Sequence, residues 1–288
     1  MKKRLILVLS ILVLLTGCGN IPHDSITPVS REDGSGTRGA FVELFGIQTK
    51  DENGEKIDIT TDLAEITNST AVMLLTVTGN RNAIGYISMG SMNDAVKILE
   101  IDGVEATFEN IKNGTYKVAR PFIIATKTDI SPAAQDFINY ILSEEGQKVV
   151  EKSGYISQGN IGPYQPTMAK GNVVVSGSSS VAPVVEKIKE SYEAVNSNVT
   201  IEMQQSDSTI GMNSLKEGMC EIGMASRELK ESELAAGLIP IVIAMDGIAV
   251  VVNHENLVNG LTSEEVRSIY KGEVDEWKEI PFSKEEIE

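Results

Sequence analysis

Cysteine is nearly absent from this 288-residue chain, which has only Cys18 and Cys220. Cys18 falls in an N-terminal leader. Cys220 alone can form neither an internal disulfide nor a thiolate metal site, and reads as a small buried residue on an apolar segment. Basic charge is also scarce: 25 Lys and Arg stand against 41 Asp and Glu, a formal net charge of −16. So acidic a surface argues against nucleic-acid binding, which needs basic patches. The two histidines, His23 and His254, have no metal-ligand spacing to a cysteine or an acidic cluster. There is no Gly-x-Ser-x-Gly elbow and no lysine closing a phosphate-binding glycine loop. The acidic pairs Glu144-Glu145 and Glu264-Glu265 read as solvated helix faces. Nothing assembles a nucleophile, a base and an orienting group, so a binding protein is expected rather than an enzyme, with no cofactor and no metal. No internal repeat and no sustained low-complexity tract is present.

What is there begins at the N-terminus. Lys2, Lys3 and Arg4 precede the apolar run Leu5–Leu15. That run is well short of the roughly twenty residues that span a bilayer, but it suits the apolar region of a secretory signal. It ends in Leu15-Thr16-Gly17-Cys18, which resembles the lipobox of bacterial lipoproteins and implies that Cys18 is lipidated after cleavage. Residues 1–17 are then a signal peptide and 18–24 a tether. Cleavage removes three positive charges and takes the formal net charge from −16 to −19. Exposed charges are screened beyond roughly 8 Å at physiological salt, so a local site can still favour an anion.

From Thr27 the chain alternates strand-like and helix-like segments, the pattern of an α/β protein. Short-helix character is expected at Ala40–Phe45 and a strand at Ala83–Ser88. Over Pro132–Lys152, Ala134, Phe137, Ile138, Ile141, Leu142, Val149 and Val150 recur near helical spacing and predict one amphipathic helix. Residues 158–171, opening Gln158-Gly159-Asn160-Ile161-Gly162-Pro163, read as a linker. A second run follows: a strand at Val173–Val175, a helix over Pro183–Ala194, a strand at Val199–Met203, a helix at Gly211–Lys216 and a long apolar segment, Ile239–Val252. Asp246-Gly247 interrupts that segment, where a crossover between two lobes can sit. A last helix opens at Thr262 or Ser263.

Three turns share one design, glycine and hydroxyl residues immediately before a helix: Gly34-Ser35-Gly36-Thr37-Arg38, Gly177-Ser178-Ser179-Ser180-Val181 and Ser206-Asp207-Ser208-Thr209-Ile210-Gly211. The first four N–H groups of a helix lack internal partners. With the partial positive charge at that end they make an anion site. Glycine lets backbone approach a ligand closely, and each hydroxyl adds a donor that can reorient. One such turn is often only an N-cap; three in one chain, with arginines beside them, point to an oxyanion. Arg31 and Arg38 bracket the first turn, and Arg227 follows the strand-like Ile222–Ser226. A planar guanidinium can donate two charge-assisted bonds to a tetrahedral oxyanion, and Asp33 is placed to hold Arg31.

These residues carry a resemblance. Ser30-Arg31-Glu32-Asp33-Gly34-Ser35-Gly36-Thr37-Arg38 resembles the signature of the phosphate-binding proteins of bacterial ABC importers. Val175–Pro183 resembles their N-terminal strand, loop and helix. Ile222–Lys230, Asp246–Asn253, Gly272-Glu273 with Trp277, and Ala83–Tyr86 fit as well, so the resemblance covers nearly the whole mature chain. The order is rotated: the part like Val175–Trp277 comes first in the usual member and the part like Ser30–Gly154 follows. This resembles a circular permutation, joined here by the linker, and implies that the chain near Ile26 lies close to the chain near Ile280.

The resemblance implies an α/β, two-lobe, type II periplasmic-binding-protein fold with the ligand in the cleft between lobes. Lobe B is expected to comprise residues 25–96 and 244–288, and lobe A residues 97–243. It implies inorganic phosphate held by Ser179, Ser180, Val181, Ser208, Thr209, Ser226 and Arg227 from lobe A. Lobe B would contribute Arg31, Ser35, Gly36 and Thr37, supported by Asp33 and Arg38. It also implies a monomer, lipid-anchored through Cys18 on the extracellular face of the membrane, that delivers phosphate to the permease subunits of an ABC transporter. An anchored oxyanion sensor or interaction protein uncoupled from transport is the alternative. One position departs from the pattern. The best-known family members carry an Asp after the serine matching Ser226, and that Asp accepts the proton of hydrogen phosphate. Here Arg227 stands there, so a filter against sulfate must come from elsewhere, with Asp33, Asp207 and Asp246 as candidates.

Overall fold

The computed structural model describes residues 25–52 and 56–280. The expected signal peptide, Cys18, the expected tether, His23 and residues 281–288 lie outside the described residues. The backbone of the fold is one nine-stranded mixed sheet. Its strands run in the order Val199–Ser206, Gly171–Ser178, Ile222–Ala225, Ala119–Thr126, Ile239–Val252, Ala83–Ser88, Thr27–Arg31 and Glu65–Thr67, with Lys97–Ile98 added against Ile239–Val252. The apolar segment Ile239–Val252, expected to break at Asp246-Gly247, is one continuous strand of 14 residues. Its first part pairs antiparallel with Ala119–Thr126, up to Gly247 opposite Ala119. From Ile248 it pairs with Ala83–Ser88 instead. It therefore changes partners at the expected point without leaving the strand conformation.

Two lobes result, each with its own core. One buries Val29, Phe41, Ile84, Tyr86, Ile248–Val252, Ile269 and Tyr270. The other buries Phe122, Phe137, Ile141, Val173, Val175, Val184, Ile188, Ile222 and Met224 on one face of its sheet, with Ile123, Met212 and Leu215 on the opposite face. Each such side chain removed from water contributes about 2 kcal/mol. The cores correct the boundary expected at residues 96/97. Leu99, Ile101, Tyr116 and Val118 belong to the core of lobe B, because Lys97–Ile98 pairs with Val251–Val252 and Glu100–Ile101 with Gly260–Leu261. The chain leaves lobe B only at the crossover strand Ala119–Thr126. It returns between Ala244, the last residue of the lobe A core, and Ile248.

The helix expected over Pro132–Lys152 is two helices, Pro132–Leu142 and Glu144–Lys152. Buried Ser143 ends the first and caps the second, its hydroxyl accepting from the Gly146 N–H at 3.1 Å. A β-carbon at Gly146 would overlap the Tyr140 carbonyl, so the break lets the second helix fold back. The linker is not a free tether. The buried Asp136 carboxylate accepts from the Tyr164 hydroxyl (2.8 Å), the Thr167 hydroxyl (2.8 Å) and the Thr167 N–H (3.2 Å). Tyr192 of the helix Ala182–Val195 and Asn196, which ends that helix, donate to the same group. Burial pushes that carboxyl upward, but these side-chain hydrogen bonds outweigh burial and hold it below the ordinary range.

The chain near Ile26 does lie beside the chain near Ile280. Ser25 bridges Glu276 antiparallel, and the Ile26 N–H donates to the Asp275 carbonyl at 2.7 Å. Cys220 is free and buried, its thiol pushed up to about 11 by burial.

Candidate functional site

The three hydroxyl-rich turns do open helices, at Gly36, Ala182 and Ser208. The sheet brings them together across the cleft. Helix Ser208–Glu217 packs so closely on strand Gly171–Ser178 that a β-carbon on Gly211 would lie 2.6 Å from the Gly177 Cα. Only glycine allows that approach, and it sets Ser208 beside Ser178 and Ser226. The Ser178 hydroxyl donates to Ser226 Oγ at 3.0 Å, and the Ser226 N–H to Ser208 Oγ at 3.2 Å.

From lobe B the first turn inserts into this group. A β-carbon on Gly36 would lie 2.5 Å from Ser208 Oγ and 2.8 Å from Ser226 Oγ, so the glycine is what lets the two lobes meet. The Thr37 and Ser180 hydroxyls are hydrogen-bonded at 2.8 Å, and Arg31 Nη2 donates to Ser179 Oγ at 3.3 Å. Ser35 caps helix Gly36–Leu44, accepting from the Arg38 N–H. Arg31, Ser35, Thr37, Ser179, Ser180, Val181, Ser208 and Ser226 are all buried. One cleft thus gathers a guanidinium, hydroxyls from both lobes and the N-termini of helices from both lobes, the donor set that stabilises an oxyanion.

Arg31 is fixed from two sides. Its Nε and Nη2 donate to the two Glu32 carboxylate oxygens, each at 2.7 Å. Its backbone N–H donates to the Tyr86 hydroxyl at 3.1 Å, which also meets Ser30 Oγ at 2.9 Å. The Tyr86 ring stacks on Phe41 at 3.9 Å between centroids, an arrangement worth about 1 kcal/mol beyond burial. Burial pushes the Tyr86 phenol up to about 12, so it stays a neutral hydroxyl. Asp33 does not hold Arg31: its side chain is 95% exposed and pairs with Arg38. Arg38 also binds Asp58 and the Arg31 carbonyl, which braces the turn from outside.

Arg227 and Thr209 stand at the rim. The Arg227 guanidinium donates to both oxygens of buried Glu233, at 2.9 and 2.8 Å. Burial raises the Glu233 carboxyl, but the Arg227 and Lys230 hydrogen bonds and the charges of those two residues together outweigh it and hold the group below its ordinary range. A cavity of about 970 Å³ opens beside the hydroxyl cluster rather than within it, lined by Ser35, Arg38, Arg120, Thr209, Arg227 and Glu228 among others. It is far wider than a tetrahedral ion, and among its cations Arg38 and Arg227 are already ion-paired.

Several site-forming residues escaped the sequence reading. Thr70, hydrogen-bonded to Ser180 at 3.2 Å, opens the helix Thr70–Gly79 after the N-cap Ser69. Asn68-Ser69-Thr70 also places hydroxyls at a helix start, without the glycine that marked the other three turns. Glu32 and Ser178 sat inside motifs already singled out. Arg120 carried no signal: on the crossover strand it is buried opposite Asp246 and donates to it at 3.2 Å and to the Ser226 carbonyl at 3.1 Å. Ser88 donates to Asp246 from the other side at 2.8 Å. Burial pushes the Asp246 carboxyl up to about 6 against the pull of Arg120.

The chain matches the model of the PBP superfamily domain over residues 19–145 and 162–288. It is 53% identical over 272 residues to the phosphate-binding protein PstS 2 of Streptococcus agalactiae serotype V, covering 93% of each chain. It is 42% identical over 274 residues to phosphate-binding protein PstS 2 of Streptococcus pneumoniae serotype 4, covering 92% of this chain and 94% of that one. The crystal structure of a phosphate-binding protein of a phosphate ABC transporter from Streptococcus pneumoniae TIGR4 superposes with a TM-score of 0.70 at 42% identity, over 89% of this chain and 100% of that one. With the two-lobe fold and this cleft, these matches place the chain in the PBP superfamily, as a member of the family of PstS phosphate-binding proteins.

Proposed function

We propose that this protein is an extracellular receptor that binds inorganic phosphate between its lobes and delivers it to the permease of an ABC transporter. The carrying observation is the meeting of Arg31 with Ser179 and of Thr37 with Ser180 across the cleft. Donors from both lobes converge on one buried point, so a tetrahedral oxyanion is fully satisfied only when the lobes are closed. It then favours closure by its differential affinity for that state. The relatives named as phosphate-binding proteins, at up to 53% identity over nearly full length, support phosphate as that oxyanion. They also support a transport role without catalysis.

In this reading Arg31, Ser35, Gly36 and Thr37 donate from lobe B, and Ser179, Ser180, the Val181 backbone, Ser208 and Ser226 from lobe A. Arg38 braces the first turn. Two of the acids considered as readers of the ligand's proton are occupied elsewhere, Asp33 with Arg38 and Asp246 with Arg120. Asp207 lies at the seam: it caps the Ser208 helix, and a β-carbon on Gly34 would overlap its carboxylate. It is the acid we assign to discrimination against sulfate.

The protein acts as a monomer, held at the membrane by lipidated Cys18. No helix among the described residues is long and apolar enough to cross a membrane. The rotated order is a circular permutation; the pairing of Ile26 with Asp275 supports it.

Calorimetric titration of the mature, unlipidated protein with phosphate and, in parallel, sulfate tests this reading, with Arg31→Ala as control. One-to-one phosphate binding that the variant loses is the expected result. Comparable sulfate binding removes the role given to Asp207, and no binding by a folded sample rejects the receptor.

A further inference from the structure

Arg227, which follows buried Ser226, makes a chain of contacts that leads to the opposite lobe. Glu233, on the short helix Glu231–Ala235, is 3% exposed and accepts the bidentate guanidinium. The same carboxylate accepts the Lys230 N–H at 2.7 Å, which fixes it against its own helix. Held this way, Arg227 Nη2 donates to Thr209 Oγ1 at 3.3 Å. Thr209 in turn reaches across the seam: its hydroxyl and its N–H both donate to the Gly34 carbonyl, each at 3.2 Å. Gly34 belongs to lobe B and heads the turn that carries Ser35, Gly36 and Thr37.

We propose that Arg227 is a positioning residue for lobe closure: with Glu233 it forms a latch that orients Thr209 onto the Gly34 carbonyl and retains bound phosphate, rather than contacting the ligand. The physical reason is directional. A threonine hydroxyl has one proton to give and rotates freely. An arginine N–H donated into its lone pairs leaves that proton facing the Gly34 carbonyl. A guanidinium whose bidentate partner is a buried carboxylate is pre-organised and has little freedom to follow a ligand. The latch exists only when Gly34 reaches Thr209, that is, in the closed state. Its loss is therefore expected to act on release more than on encounter, the pattern usual for short-range contacts.

This inference rests on the phosphate-receptor reading, and the experiment separates the two. Wild-type protein and the variants Glu233→Gln, Arg227→Met, Thr209→Val and Thr209→Ser are titrated with inorganic phosphate, with association and release rates measured by stopped flow. Glu233→Gln, Arg227→Met and Thr209→Val are each expected to raise Kd roughly ten-fold, the size of one lost charge-assisted hydrogen bond. The loss should lie in faster release. The double variant Arg227→Met with Thr209→Val should be no worse than the weaker single, and Thr209→Ser, which keeps the hydroxyl, should bind like wild type. Loss of all binding in Arg227→Met with Glu233→Gln and Thr209→Val unaffected would make Arg227 a direct ligand and overturn the latch. Unchanged Kd throughout would overturn it as well. If Arg227→Met does not fold, the contrast between Thr209→Val and Thr209→Ser decides. A folded wild type that fails to bind phosphate rejects the receptor reading itself, and the latch with it.

Discussion

The guanidinium of Arg31 is clamped by the carboxylate of its own neighbour, Glu32, through two bonds of 2.7 Å. The sequence offers two acids after Arg31, and the turn decides between them. Glu32 folds back beside the strand end and is 20% exposed at its side chain, whereas Asp33 projects outward at 95%. A bidentate carboxylate presents Arg31 in a fixed orientation toward Ser179.

Glu32→Gln is therefore expected to weaken phosphate binding by about ten-fold or more, the size of a lost charge-assisted hydrogen bond. Asp33→Asn, which breaks an exposed pair with Arg38, should change it little. Calorimetry on the two variants checks this, and equal losses would contradict the assignment.

Gly36 lies where a β-carbon would sit 2.5 Å from Ser208 Oγ and 2.8 Å from Ser226 Oγ. Its backbone is helical, so Gly36→Ala meets no local conformational penalty in the open protein; the clash arises only as the lobes close. The variant should fold with an unchanged melting temperature without ligand, lose most phosphate affinity, and show a smaller phosphate-induced compaction in solution scattering.

Asp136 ties the linker to lobe A, and its carboxyl is held below the ordinary range. A depressed carboxyl contributes stability above its unfolded value, about 3.9. That contribution is lost as pH falls from there through the folded value. Asp136→Asn should be less stable than wild type at pH 7, and the difference between the two should shrink as pH falls below about 4. Chemical denaturation at pH 7, 5 and 3 reads the trend.

If the rotated order is a permutation, joining the chain near Ile280 to Ser25 by a short glycine-rich linker and opening it within residues 158–171 should yield a folded protein that binds phosphate. The bridge between Ser25 and Glu276 makes the join short. The new termini release Tyr164 and Thr167 from Asp136, so a lower melting temperature with retained affinity is expected. An unfolded product would count against the permuted relationship.

Much of the architecture was legible in the chain alone. Hydroxyl and glycine residues placed ahead of helices, with Arg31 beside one of them, pointed to the site proposed for an oxyanion, because orphaned helix N–H groups and freely turning hydroxyls are local properties of the chain. Periodicity placed the helix over Pro183–Ala194, since burial on one face leaves a repeating trace. The lobe boundary had no such trace. Apolar strand residues read alike on either side of a crossover, and only strand pairing and core contacts, such as Lys97–Ile98 with Val251–Val252 and Glu100–Ile101 with Gly260–Leu261, assign residues 97–118 to lobe B. Tertiary structure also chose the partners of charged groups: Glu32 over Asp33 for Arg31, Glu233 for Arg227 and Asp246 for Arg120. A charge on a sequence can pair with any opposite charge that the fold brings within reach. Which one it meets depends on contacts between residues up to 126 positions apart, and these exist only once the two lobes have folded.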